Sequence, residues 1–174
     1  ADPMAWIDPQ VLGVPRGQID ELRTLPMSGE PLVLQRPSPE ATSLEPVNLP
    51  ETDGPLQPGA ATEPAGVFTR LVFEDVRRVD PAGPPDENVG RLRTLAGTVV
   101  TYWFEEIDGA SWVRFAVDEA EPAGYDDAPE AEPDAGEEPG IWTPPGVNLA
   151  DWAFRLPAYA VEGIRRSVSD LPTR

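Results

Sequence analysis

The dipeptide Asp108-Gly109, set between two runs of alternating apolar residues, constrains this chain more than any other stretch of it. A type I′ hairpin turn needs φ > 0 at both central residues, which Asp tolerates and Gly adopts freely, so Asp-Gly in this setting predicts a two-residue β-turn. Closing Ile107 on Ala110 fixes the register outward: Phe104 faces Val113, Tyr102 faces Phe115, and Val100 faces Val117. Six apolar side chains then share one face of the hairpin. The other face pairs Glu105 with Trp112 and Trp103 with Arg114. The second pair suits a guanidinium over an indole, worth about 0.5–1 kcal/mol if exposed. A sheet with one apolar face needs a cover, and the rest of the chain is read for what supplies it.

Upstream, Arg91–Leu95 forms a third strand, and its turn can be drawn in two ways. A two-residue Ala96-Gly97 loop sets Arg91 and Arg93 beside Val100 and Tyr102 on the core face. A three-residue loop of Ala96, Gly97 and Thr98 pairs Thr94 with Val100 and Leu92 with Tyr102, which spares the core two charges and is preferred. Gln18–Leu25 and Leu32–Arg36 read as a further hairpin joined through Met27-Ser28-Gly29-Glu30, with Leu32 and Leu34 on one face. Val67–Val79 begins with helical spacing and continues as a strand from Val72. Trp152, Phe154 and Leu156 alternate as a short strand would, and Pro157 suits the start of a helix. Val161, Ile164, Val168 and Leu171 repeat at helical spacing, with Arg165 and Arg166 off the stripe. Leu-Arg-Thr-Leu occurs at 22–25 and again at 92–95, a repetition better assigned to chance than to duplication.

The expected fold class is therefore α+β. It comprises antiparallel hairpins and a meander with strands near 18–25, 31–36, 72–79, 90–95, 98–107 and 110–117, a C-terminal helix at 158–171 covering them, and long Pro-rich loops. The 23 prolines among 174 residues are far above the roughly 5% of average usage, and they gather in a loop at 37–64. Residues 118–140 carry ten acids and no basic residue, and read as an acidic excursion too poor in apolar surface to offset its ordering entropy. Residues 1–3, Ala-Asp-Pro, read as a vector or cleavage scar, which leaves room for an export signal or anchor upstream of Met4; residues 4–174 make a single domain.

Thirteen arginines, no lysine and 31 acids give a formal charge of −18, which disfavours nucleic acid and anionic lipid as partners. The chain has neither His nor Cys. The Ser-His-Asp and Cys-His nucleophiles, thiolate zinc sites, Schiff-base lysines and the phosphate-binding P-loop are thereby excluded, and no catalytic residue or cofactor is assigned. Carboxylate chemistry of the glycosidase kind, with two acids roughly 5–9.5 Å apart, remains open. Glu105, Glu106, Asp118 and Glu119 lie near Trp103 and Trp112, although solvated charges flanking strands are the preferred reading. Asp126, Asp127, Glu130, Glu132, Asp134, Glu137 and Glu138 offer oxygen ligands for a hard cation, but without EF-hand spacing a diffuse counterion atmosphere is preferred and no metal is assigned. Trp103, Glu105, Trp112 and Arg114 are the candidate interaction surface.

Several segments together resemble a known family: Trp6-Ile7-Asp8, Leu12, Pro15 and Ile19; the hairpin through Gly29; Leu71, Phe73, Asp75 and Val76; Leu92-Arg93-Thr94-Leu95 with Gly97; and Trp152, Leu156-Pro157-Ala158-Tyr159 and Ile164. The family is the domain-of-unknown-function family numbered 4340. Its members look like membrane-anchored extracytoplasmic proteins of bacteria, often encoded with ABC transporters of the gliding-motility type. The resemblance implies a non-enzymatic accessory module in the periplasm, with a protein partner in the envelope and membrane association only through an anchor outside this sequence. It carries no catalytic residues over, and the acidic segment departs from its pattern. The competing readings are a carboxylate-based carbohydrate enzyme and a protein–protein association domain; oligomeric state is left open.

Overall fold

The computed structural model describes residues 9–49, 63–119 and 141–171. The tripeptide 1–3, the span 50–62 of the Pro-rich stretch and the span 120–140, with the candidate oxygen ligands Asp126 to Glu138, lie outside these. The described chain is mostly antiparallel sheet with two short helices. In order it runs through β1 (Gln10–Leu12), β2 (Ile19–Arg23), β3 (Val33–Gln35), β4 (Glu45–Pro46), α1 (Glu63–Val67), β5 (Leu71–Val72), β6 (Asp75–Arg78), β7 (Gly90–Thr94), β8 (Thr98–Ile107), β9 (Ala110–Glu119), β10 (Trp152–Arg155) and α2 (Ala158–Ile164). Eight strands form one sheet in the order β4-β3-β2-β7-β8-β9-β10-β6, and β1 pairs with β5 beside it.

The β8–β9 hairpin has the register its turn dictates. Asp108 and Gly109 take φ of 53° and 76°, as a type I′ turn requires. Ten residue pairs follow, among them Phe104 with Val113, Tyr102 with Phe115 and Trp103 with Arg114. Val100, Tyr102, Val113 and Phe115 are buried, whereas Val117, at the far end, is exposed. Tyr102 lies 5.6 Å from Phe68 and 6.4 Å from Phe115, centroid to centroid, and Phe115 in turn lies 5.9 Å from Phe154. The Tyr102 hydroxyl reaches the carbonyl oxygens of Arg23 and Ile164, each at 3.2 Å. Its burial pushes the phenol pKa upward.

The β7–β8 turn differs from expectation. Leu92 faces Val100 and Gly90 faces Tyr102, so the three loop residues are Leu95, Ala96 and Gly97, and Thr98 already belongs to β8. A shift of two residues preserves which side chains face the core, so the apolar pattern cannot separate the two registers. Bulk and turn chemistry decide instead. Gly97 adopts φ of 91°, its N–H donates to the Thr94 carbonyl at 3.0 Å, and the Thr98 N–H donates to Thr94 Oγ1 at 3.1 Å. The ring of Tyr102 occupies the space a side chain on Gly90 would need.

The expected strand at 72–79 is divided. Leu71–Val72 pairs with β1, and Asp75–Arg78 pairs with β10 at the sheet edge, because the chain changes partner between them: the Phe73 N–H donates to Pro9 and the Glu74 N–H to Arg155. The helical turn before it begins at Glu63, upstream of Val67.

The expected helix at 158–171 also stops early. Arg165 leaves helical geometry with φ −101° and ψ 9°, and a separate 3₁₀ turn spans Val168–Asp170. Ser167 is the reason: it caps that turn, its N–H and hydroxyl both donating to Asp170 Oδ2 at 2.9 and 2.7 Å. Ile164, Val168 and Leu171 are buried as the spacing predicts, although they arrive on two elements. Gly163 lies against Val67 of α1, where a methyl group would overlap that side chain. Toward the Pro-rich stretch, Arg36 is buried and donates to the carbonyls of Ile19, Arg16 and Ala41, and Leu44 enters the core. At the other end β9 continues through Asp118 and Glu119, residues expected to open the acidic excursion.

Candidate functional site

Strand alternation puts Trp103, Glu105, Trp112 and Arg114 on the face of β8 and β9 turned away from Tyr102, and the register makes them cross-strand neighbours. The structure brings the four together but does not leave them open. Trp103 and Trp112 are only 6% and 7% exposed, and the Arg114 side chain only 4%. The candidate surface is thus largely covered, with Glu105 the member that reaches solvent. The segment after β6 and the 3₁₀ turn at Leu149–Asp151 close over it. Arg114 Nη2 donates to the carbonyls of Asp80, at 2.9 Å, and Ala150, at 2.8 Å. Arg114 Nη1 pairs with Glu105 Oε2 at 3.0 Å, and its Cζ lies 5.8 Å from the centre of the Trp103 ring.

Arg114 is thus a tie between strands and loops, with its fork consumed by one carboxylate and two carbonyls. Its Nε and the Trp112 Nε1 have no hydrogen-bond partner among the described residues. Beside this network lies a cavity of about 680 Å³ whose wall includes Arg77, Arg78, Asp80, Pro81, Glu105 and Arg114. Arg77 stands with Cζ 5.7 Å from the Trp112 ring centre and pairs with Asp108 of the hairpin turn at 2.8 Å. Sequence reading missed Arg77 and Arg78 as part of this site. Alternation along β6 sends Arg77 and Arg78 to opposite faces, Arg77 to that of Trp112, but nothing local says that β6 lies beyond β10 rather than beside β8.

A second cavity, of about 510 Å³, lies between the β2–β3 turn and the end of α2. Its floor is organised by the Ser167–Asp170 cap. The Asp170 carboxyl is held below its ordinary value by the Ser167 N–H and then the Ser167 hydroxyl; burial opposes them, and the Arg166 charge adds a smaller downward push. A carboxyl lowered in the folded state stabilises it fully above the unfolded carboxylate range of about 4 and loses that contribution as pH falls through the folded value. Asp170→Asn should therefore lose part of the acid-side dependence of stability, and Ser167→Ala should lose less, since its N–H remains. Denaturant midpoints measured from pH 2 to 6 check this ranking, and three superimposed curves would refute it.

Among the described residues no group of three or more acidic, His or Cys side chains is gathered to hold a metal ion, and no helix is long and apolar enough to cross a membrane. The chain matches no family model, no curated protein and no solved structure.

Proposed function

We propose that this chain is a non-enzymatic binding module on the extracytoplasmic side of a bacterial envelope, tied to the membrane by an anchor outside this sequence and serving an ABC transporter as an accessory. The resemblance to the family numbered 4340 is the ground for the location and for the transporter. The accompanying fold proposal is α+β, with the C-terminal helix as cover of the sheet and the Pro-rich segments as surface loops; Ala160 and Ile164 of α2 and Leu44 in the core support it.

The observation that carries the binding reading is Arg77, which stands over Trp112 on the wall of the cavity behind β8 and β9 in a chain of formal charge −18. Arginine over a buried indole is the composition in which interface energy concentrates. The pair between Arg77 and the exposed Asp108 is worth about 0–1 kcal/mol, so Arg77 can exchange that carboxylate for one on a partner at little cost. Trp103, Glu105, Trp112 and Arg114 act beneath this surface as its support, and the partner is a protein segment bearing carboxylates or free carbonyls. The carbohydrate-enzyme reading draws nothing from buried indoles and a Glu105 already paired with Arg114.

A photo-crosslinking residue at position 82, on the wall of the same cavity, introduced into the full-length protein in native membranes, tests this. A transporter subunit should be captured, and Arg77→Glu should sharply reduce its yield. Failure to capture any envelope protein, or a yield indifferent to Arg77→Glu, would remove the reading.

A further inference from the structure

We propose that the cavity between the β2–β3 turn and the end of α2 is an oxyanion-binding site read by Arg165, separate from the surface around Arg77. Met27, Gly29, Val161, Arg165, Ser167 and Ser169 are among the residues that line its roughly 510 Å³. Arg165 stands at the point where α2 ends, and its Cζ lies 3.6 Å from the centre of the Phe104 ring. The ring covers the guanidinium on one side and holds it in place, as stacked arginines are held at carboxylate and phosphate sites.

What singles Arg165 out is a missing counterion combined with partial burial. The chain carries 31 acids against 13 arginines, yet Arg165 forms no ion pair among the described residues, and its Nε is buried without a hydrogen-bond partner. Its neighbour Arg166 has one, in Glu63 at 3.4 Å. Exposed arginines need no carboxylate because water solvates them; Arg165 is half-buried, and that burial pulls its pKa down. A cation in this state is preorganised and undercompensated, and an oxyanion supplied from outside would complete it.

The hydroxyls beside it add donors. The Ser167 hydroxyl donates to Asp170, so in the 2.8 Å contact between the two hydroxyls Ser169 donates to Ser167 Oγ, a bond on the exposed side that Ser169 can exchange for one to a ligand. Met27, 83% exposed, and Val161 offer an apolar contact for whatever carries the anion. Glu162 also lines the cavity and opposes an anion, and Asp170 is already engaged by Ser167. The oxyanion is a carboxylate on a polypeptide or a free phosphate, and both chemistries fit one guanidinium fork.

Titration of the folded protein, followed by the Arg165 Nε–H and Phe104 ring resonances at constant ionic strength, distinguishes the sources. One arm uses acetyl-glutamate amide, one inorganic phosphate, and one chloride as control. Saturable shifts with either oxyanion are expected, the tighter of the two naming the source. Arg165→Gln should weaken binding about tenfold or more. Glu162→Gln should tighten it about threefold by removing an exposed like charge. Should Arg165→Gln fail to fold, Ser169→Ala, at an exposed position, is expected to weaken binding and Glu162→Gln still to strengthen it. Linear shifts that chloride reproduces, unchanged affinity in Arg165→Gln, or unchanged affinity in both of the other variants would overturn the proposal.

Discussion

Gly90→Ala is expected to destabilise the protein by about 3 kcal/mol or more, lowering the melting temperature by about 6–12 °C. The sign is the informative part, since Gly to Ala in a strand ordinarily stabilises by about 0.5–1 kcal/mol through the unfolded chain. Here the new methyl carbon would stand 2.0 Å from Tyr102 Cζ and 2.4 Å from its hydroxyl oxygen. The ring has no easy retreat, because Phe68 and Phe115 flank it and its hydroxyl is bound to the carbonyls of Arg23 and Ile164. Combining Gly90→Ala with Tyr102→Val should cost less than the two single losses added together, because the smaller side chain removes the overlap. Thermal and denaturant unfolding of the four proteins measures this. A loss below about 1 kcal/mol for Gly90→Ala would mean that Tyr102 does not lie over Gly90.

Arg114→Met is expected to cost about 3–5 kcal/mol, the range for removing one partner of a buried charge network. The methionine would fill part of the space but leave the Asp80 and Ala150 carbonyls without their donor and Glu105 without its cation. Arg114→Lys should recover little, since a single ammonium cannot reach three acceptors that a planar fork spans. Glu105→Gln should cost about 1 kcal/mol or less, because that side chain is 44% exposed and water can replace it. Denaturant unfolding gives the ranking, and hydrogen exchange at Asp80 and Ala150 gives the location. A neutral Arg114→Met would show that the loops over this face are held by packing alone.

The two variants probe different kinds of information. Tyr102 facing the core follows from alternation around Asp108-Gly109, but its partner across β7 does not. Shifting β7 by two residues leaves Leu92 and Thr94 facing inward in either register, so local pattern had nothing with which to choose. The choice came from one ring needing one glycine opposite it. Likewise, helical spacing placed Ile164, Val168 and Leu171 in the core, while Ser167, which lies between two of these positions, ended one helix and capped another.

The candidate site divides in the same way. Its membership of Trp103, Glu105, Trp112 and Arg114 was legible, because cross-strand neighbours follow from register. Its accessibility was not, because that depends on where Asp80 and Ala150 come to rest, and both belong to segments distant in sequence.

The sequence alone determined the turn, the register of β8 with β9 and the face each residue takes, since these depend on backbone dihedrals and a two-residue period that act between near neighbours. Tertiary structure decided the β7 register, the placement of β6 beyond β10, the burial of the indoles and the lone guanidinium over Phe104. Those depend on volume and on hydrogen bonds between distant segments, and no local pattern encodes which distant atoms will meet.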